Sequence, residues 1–429
     1  MTAATLPSAL EVRIHDTMAG TIVAISARDS IFAFDETYIQ REDRPVLSLG
    51  FTDSYGRLRT RSSRPGRIIP FFANLLPEGA LRRYIAERAG IDDGSDLALL
   101  WLTGSDLPGA VTVRDPEGRA VPPLAVGGPS APPPADALFR FSLAGVQLKF
   151  SALRNARGGL TIPATGRDGH YIVKLPSAHF KDLPLNEYKM MQFARDVGLD
   201  VPDCELSDLD DIAGLPADLE QLGGQPAFVV RRFDRADDGT RIHIEDFNQL
   251  FRQYPDQKYD NHDYNEIARV IYRLMGAEAL QDFVRRLVFS MAIGNTDMHL
   301  KNWTVIYRDG KTPALAPVYD YLCTSAYSIA GRNELGLNLG GVKTFSHIGE
   351  DAFERLARRA DVSSRLVLTA AREMRSRVLE RWPQLSPELR EECPPVCDRI
   401  RDLLAQTPFF QAKRVGAIGE KPSTHEEPA

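Results

Sequence analysis

The stretch between Asp282 and Tyr321 constrains this chain more than any other. Residues 282–295, DFVRRLVFSMAIGN, set Phe283/Val284, Leu287/Val288 and Met291/Ala292 four residues apart, which predicts a core-packed helix stopped at Gly294-Asn295. Asp297 follows directly in the loop. Next come Trp303–Tyr307, the turn Arg308-Asp-Gly-Lys311 and Ala314–Tyr319, and Asp-Gly between strand-like runs is a strong hairpin signal. A hairpin turning at Asp309-Gly310 returns Asn302 and Asp320 to neighbouring strand ends, with Asp297 a few residues away.

Three short polar side chains converging beside a sheet suit phosphoryl transfer from ATP. Mg²⁺ takes hard oxygen ligands, and an attacking hydroxyl needs a carboxylate to orient it. The D-x4-N spacing of Asp297 and Asn302 is that of a kinase catalytic loop, and Asp320 would then be the metal-binding carboxylate. The plainer alternative has Asp297 capping a turn and the other two as ordinary loop residues.

A cation for the nucleotide phosphates is also required, and Lys174, mid-strand in HYIVKLP, is the candidate. Glu187 shares a helical face with Met190, Met191 and Ala194, so it is expected to be partly buried, and buried charges persist mainly when paired. A Lys174–Glu187 pair is the resulting expectation. A snorkelling lysine and a glutamate favoured by a helix N-terminus is the alternative. SLAGVQLK, Ser142 to Lys149, places a Gly turn between strand-like runs, a shape able to bring backbone N–H groups over phosphates. Neither GxGxxG nor GxxxxGK[ST] is present.

With 429 residues the chain exceeds one small core and suggests two or three subdomains. Hydrophobic residues at 43% and charged residues at 26% fit a soluble globular protein. No apolar run approaches the roughly 20 residues of a spanning helix, and the start, MTAATLPSALEVRIHD, has no basic region followed by an apolar stretch, so a cytoplasmic protein without membrane contact is expected. A net charge of -6 denies the whole molecule the basic field of a protein that holds DNA by itself. Any DNA contact would be local or through a partner. Cys204, Cys323, Cys393 and Cys397 form no zinc-like group and are read as reduced thiols. His243 and His299 have no ligand-spaced partner and are read as structural or substrate-contacting.

The organisation is α+β. Residues 1–120 read as a small α+β subdomain with β-like stretches at Gly20–Ile25 and Val46–Phe51 and a helical segment around Phe71–Ala89. Residues 121–137, rich in Pro, Gly and Ala, read as a linker. Residues 138–235 read as a sheet-containing lobe with strand-like pieces Phe141–Ser151, Tyr171–Leu175 and Ala227–Phe233 and a helix from Leu185 to Val197. Residues 236–411 read as a mostly helical lobe interrupted by one hairpin, and 412–429 as a disordered tail.

FSLAGVQLKF, YIVKLP followed by NEY, FVVRRFDR, IEDF, GNTDMHLKNW and PVYDYL resemble, in order and spacing, the HipA family of bacterial serine/threonine kinase toxins. FAFDETYI, PVLSLGF and FFANLLPEG extend the resemblance to the family's amino-terminal subdomain, so it spans about Glu11 to Leu404. It implies a HipA-like kinase fold: a small α+β amino-terminal subdomain, an ATP-binding lobe and a helical catalytic lobe. It further implies Asp297 as catalytic base, Asn302 and Asp320 as Mg²⁺ ligands and Lys174 as the phosphate-binding lysine. The SLAG stretch, with Ala144 and Gly145, would cover the ATP phosphates and carry Ser142 as an autophosphorylation site. Main-chain groups at Arg231 and Phe233 would meet the adenine, although family members often carry an acidic residue at the position of Arg231.

The implied activity is that of a type II toxin: an Mg-ATP-dependent protein kinase acting on an aminoacyl-tRNA synthetase or another translation component. Its implied partner is a HipB-like helix-turn-helix antitoxin, through which operator DNA is reached only indirectly. Asn295-Thr296-Asp297 in place of His-Arg-Asp, and Asp320-Tyr-Leu in place of Asp-Phe-Gly, set the chain apart from eukaryotic kinases. A small-molecule or lipid phosphotransferase, and an inactive co-repressor, are the competing readings.

Overall fold

The computed structural model describes residues 6–26, 29–53, 56–119, 121, 149–154, 159–161, 169–177, 179–215, 224–327 and 333–411. Ser142, Ala144 and Gly145, most of the expected linker and the expected tail lie outside the described residues.

The amino-terminal part is a five-stranded antiparallel sheet in the order β4-β3-β2-β1-β5, built from β1 (Ala9–Ile14), β2 (Thr17–Ala24), β3 (Ser30–Phe34), β4 (Arg61–Arg64) and β5 (Val111–Arg114). Strand alternation sets its buried face, where Leu10, Val12 and Ile14 of β1 point inward with Phe32 and Phe34 of β3. Helix α1 (Glu36–Gln40) begins where the Asp35 side chain accepts the N–H groups of Thr37 and Tyr38. The strand expected at Val46–Phe51 is instead a 3₁₀ turn over Leu49–Phe51, because the Ser48 hydroxyl accepts the Gly50 N–H and caps it. The single helix expected at 71–89 is two, α2 (Pro70–Ala73) and α3 (Gly79–Ala89). Asn74 divides them by donating its amide to Gln253 O at 2.8 Å, tying the break to a distant loop. Helix α4 (Asp96–Thr103) completes this part.

A second sheet follows the order β10-β7-β6-β8-β11-β9. Its strands are β6 (Lys149–Arg154), β7 (Leu160–Thr161), β8 (Tyr171–Lys174), β9 (Cys204–Ser207), β10 (Ile212–Ala213) and β11 (Ala227–Arg231). Helix α5 (Leu183–Asp196) starts with Pro184 in its first turn, ends before Gly198 at φ 85°, and buries Met190, Met191, Phe193 and Ala194.

The carboxy-terminal part is helical, with α6 (Phe247–Leu250), α7 (Tyr264–Ala292, broken at Gly276), α8 (Glu350–Ala360), α9 (Ser364–Glu392), α10 (Pro394–Gln406) and α11 (Pro408–Gln411). The expected hairpin is present as β13 (Thr304–Tyr307) and β14 (Ala314–Leu315), turning through Gly310 at φ 78°. Its second strand is only two residues long, and β12 (His243–Asp246) pairs on the other side of β13. The expectation of one hairpin needs correction, because β15 (Glu334–Leu339) and β16 (Val342–Thr344) form another.

The amino-terminal part is bonded to the rest through buried polar groups. Glu245, fully buried, accepts from Ser48 Oγ at 2.5 Å, from the Leu49 N–H at 2.9 Å and from the Tyr307 hydroxyl. Asp106 meets Arg235 at 3.0 Å, and Asp234 accepts the Gly109 N–H at 2.9 Å.

Candidate active site

Lys174 ends β8 with its side chain turned toward α5, where Glu187 lies one turn inside the helix. Its ammonium donates to Glu187 Oε1 at 2.5 Å and also to Asp320. The expected Lys174–Glu187 pair is therefore present, with a second carboxylate added to it. Lys174 and Glu187 are 8% and 1% exposed, so neither charge survives without a partner. Burial, together with the Asp320 charge, pushes the Glu187 carboxyl up to about 7 against the pull of Lys174. Burial also acts to raise Asp320, but Lys174 and Lys149 outweigh it and hold that carboxyl at about 2. Among the described residues, the buried Glu187 Oε2 has no hydrogen-bond partner.

Lys149 was not singled out by sequence reasoning, and the strand register explains its place. In the β6–β8 ladder Lys149 stands directly opposite Lys174. Like charges facing each other across a ladder repel. The Lys149 side chain is exposed to solvent at the start of β6.

The catalytic-loop candidates are fixed by main-chain bonds. The Asp297 N–H donates to Asn295 Oδ1 at 3.0 Å, and its carbonyl accepts from Asn302 Nδ2 at 2.8 Å and from the His299 N–H at 2.8 Å. Asn295 Nδ2 donates to the Asp320 carbonyl at 3.1 Å, which joins the loop to the segment after the hairpin. Asp320 takes a left-handed backbone, φ 54°, uncommon for a residue with a side chain and kept only where its surroundings impose it. Tyr319, beside it, donates to Lys301 O at 2.7 Å and stands within 2.6 Å of Thr304 Oγ1. The hairpin thus brings Asp320 back to the loop holding Asp297 and Asn302, with Lys174 on its far side.

Other contacts had no sequence signal. The Tyr259 hydroxyl donates to Asp297 Oδ1, although Tyr259 lies 38 residues away in an irregular segment. Lys301 reaches Glu78 Oε1 at 2.5 Å, so the FFANLLPEG stretch touches the catalytic loop. Glu78 also has Lys258 at 3.6 Å, and these cations bring its carboxyl below the usual range although burial opposes them.

At the expected adenine hinge, the Arg231 N–H is already bonded to Asp203 O at 2.8 Å, so that donor is not open to a nucleotide. The Arg231 guanidinium pairs with Asp237. The Phe233 ring packs on Tyr319, centroids 5.6 Å apart, linking the hinge to the Asp320 segment. His243 is buried, its Nε2 within 2.9 Å of Leu47 O and its ring stacked on Tyr307. His299 packs edge-on against Tyr259. Among the described residues no helix is long and apolar enough to cross a membrane.

The chain is similar to known proteins along nearly its whole length. The family profile of the HipA N-terminal domain matches residues 10–114, and that of the HipA-like C-terminal domain matches residues 141–382. A Sinorhizobium fredii protein named as a candidate kinase, Y4dM, is 46% identical over 382 residues, covering 87% of this chain and 91% of the relative. The serine/threonine-protein kinase toxin HipA of Shewanella oneidensis is 26% identical over 353 residues, 74% of this chain and 76% of that one. The solved complex of Shewanella oneidensis HipA with HipB and operator DNA contains a chain that superposes with a TM-score of 0.71 at 20% identity, covering 94% of this chain and 98% of that one. The α+β fold is that of HipA, and the chain belongs to the HipA family.

Proposed function

We propose that this protein is an Mg-ATP-dependent serine/threonine protein kinase that serves as the toxin of a toxin–antitoxin pair. The observation that carries the reading is Lys174, held between Glu187 and Asp320 with Lys149 opposite it across the ladder. Lys149 is exposed beside the buried Lys174, and two neighbouring ammonium groups suit a polyphosphate ligand. The hard oxygens of Asn302 and Asp320 fit Mg²⁺ by donor chemistry. When bound, Mg-ATP supplies the phosphoryl group and a cation that offsets its charge.

The chain's own groups divide the remaining work. Glu187 anchors the Lys174 ammonium, leaving it directed at Asp320 and the phosphates. Asp297, fixed by Asn295 and Asn302, orients the acceptor hydroxyl and takes its proton, a contribution of roughly 10²–10⁴-fold. Ser142, with Ala144 and Gly145, would cover the phosphates, and a phosphate on Ser142 would repel nucleotide. The partner in this reading is a HipB-like helix-turn-helix antitoxin through which operator DNA is reached, and the Shewanella complex of HipA with HipB and operator DNA supports such a partner. An aminoacyl-tRNA synthetase is the proposed target class.

Incubation of wild type and Asp297→Asn with Mg-ATP tests the reading. Wild type should transfer phosphate to protein, Ser142 included, and the variant should lose the transfer while keeping its thermal unfolding midpoint. Wild-type turnover in Asp297→Asn would remove Asp297 from the role, and transfer only to small molecules would favour the competing phosphotransferase.

A further inference from the structure

The oxygen on which an acceptor hydroxyl must be activated is already engaged, because the Tyr259 hydroxyl donates to Asp297 Oδ1. A phenol on that carboxylate reproduces the chemical grouping that a serine or threonine acceptor would form there. We propose that Tyr259 occupies the acceptor's place and that protein substrates enter only when it withdraws. The inference rests on Asp297 being the catalytic base.

Simple support of the Asp297 carboxylate is the competing role, since the bonds to Asn295, from Asn302 and from the His299 N–H fix the Asp297 main chain, and the kinetics of Tyr259→Phe separate the two roles. Tyr259 also comes from outside the catalytic loop, on the segment between α6 and α7. Two contacts hold the segment against the catalytic loop: Lys258 O accepts the Leu300 N–H at 3.1 Å, and the Tyr259 ring meets His299 edge-on at 5.0 Å. A substrate that displaced the ring from His299 would uncover Asp297 in the same movement. Tyr259 is therefore a gate on the acceptor side and leaves the nucleotide side, at Lys174 and Asp320, untouched.

The test is Tyr259→Phe in the full chain, which keeps the ring and removes the hydroxyl, assayed with Mg-ATP and dephosphorylated casein as the acceptor probe. A hydrogen bond to a charged group that no longer has to be displaced should lower the KM for casein roughly ten-fold. ATP hydrolysis without casein should rise, since water then reaches Asp297, and the KM for ATP should stay unchanged. Tyr259→Ala should move both quantities in the same direction. A casein KM that is unchanged or higher, together with a lower kcat, would overturn the gate and leave Tyr259 as a support of Asp297. Absence of ATP hydrolysis, autophosphorylation and casein phosphorylation from wild type and variants alike would overturn the kinase reading, and the gate with it.

Discussion

Lys174→Met keeps most of the aliphatic stem and removes the ammonium that lies between two carboxylates. Taking one partner from a buried ion pair costs about 3–5 kcal/mol, because the remaining charge is left uncompensated. Here the burden falls mainly on Glu187, whose side chain is 2% exposed, whereas that of Asp320 is 31% exposed and can turn to water. Glu187 has an escape, since burial already pushes its carboxyl to about 7, and losing the Lys174 charge raises it further. A carboxyl raised above its unfolded value, about 4.3, binds more protons folded than unfolded, so its contribution to stability falls as pH rises through that window. The deficit of Lys174→Met against wild type should therefore be larger at pH 8 than at pH 6, by roughly 1–2 kcal/mol. Urea unfolding at the two pH values measures it. Adding Glu187→Gln should restore most of the loss at pH 8, because the buried charge is then gone. Equal deficits at both pH values and no recovery in the double variant would show that Glu187 does not depend on Lys174 for its charge.

Gly336 packs on the catalytic loop so closely that a Cβ there would lie 2.8 Å from the Met298 carbonyl. Gly336→Ala should cost about 1–3 kcal/mol by overpacking and slow phosphate transfer by shifting the residue next to Asp297, read from thermal unfolding and turnover. His243 and His299 are each pushed by burial to about 4, so they stay neutral folded while the unfolded chain takes up protons below about 6.5. Stability should accordingly fall as pH drops from about 6.5 to about 4, on the order of 3 kcal/mol per histidine, and His243→Gln should flatten that slope in urea titrations.

What was legible in the sequence was local pattern. The four-residue periodicity around Phe283 and Met291, the Asp309-Gly310 turn and the strand-borne Lys174 each carry their signal within a few residues, and each has its predicted structure. The Lys174–Glu187 contact was reachable because an apolar helical face made a charge on it conspicuous. Contacts between distant segments were not legible. Lys149 opposite Lys174 depends on strand register, Tyr259 on Asp297 depends on the path of an irregular segment, and the 3₁₀ turn at Leu49 depends on a serine cap overriding a β-like run. The bond from the Arg231 N–H to Asp203 O was likewise not announced by anything nearby in sequence.

The buried Glu245 bears on how this protein can be divided. Family profiles meet it as two separable pieces, yet the carboxylate in the second piece takes two of its three donors from Ser48 and Leu49 of the first. Burial pushes that carboxyl up and the donors oppose it, so a fragment lacking them would carry a half-satisfied acid in its core. The boundary drawn by sequence similarity is therefore a poor place to cut. Expression of the catalytic lobe alone should give a protein that seeks a substitute surface, and inheritance of the two pieces as one reading frame keeps their stoichiometry fixed at the point where each depends on the other.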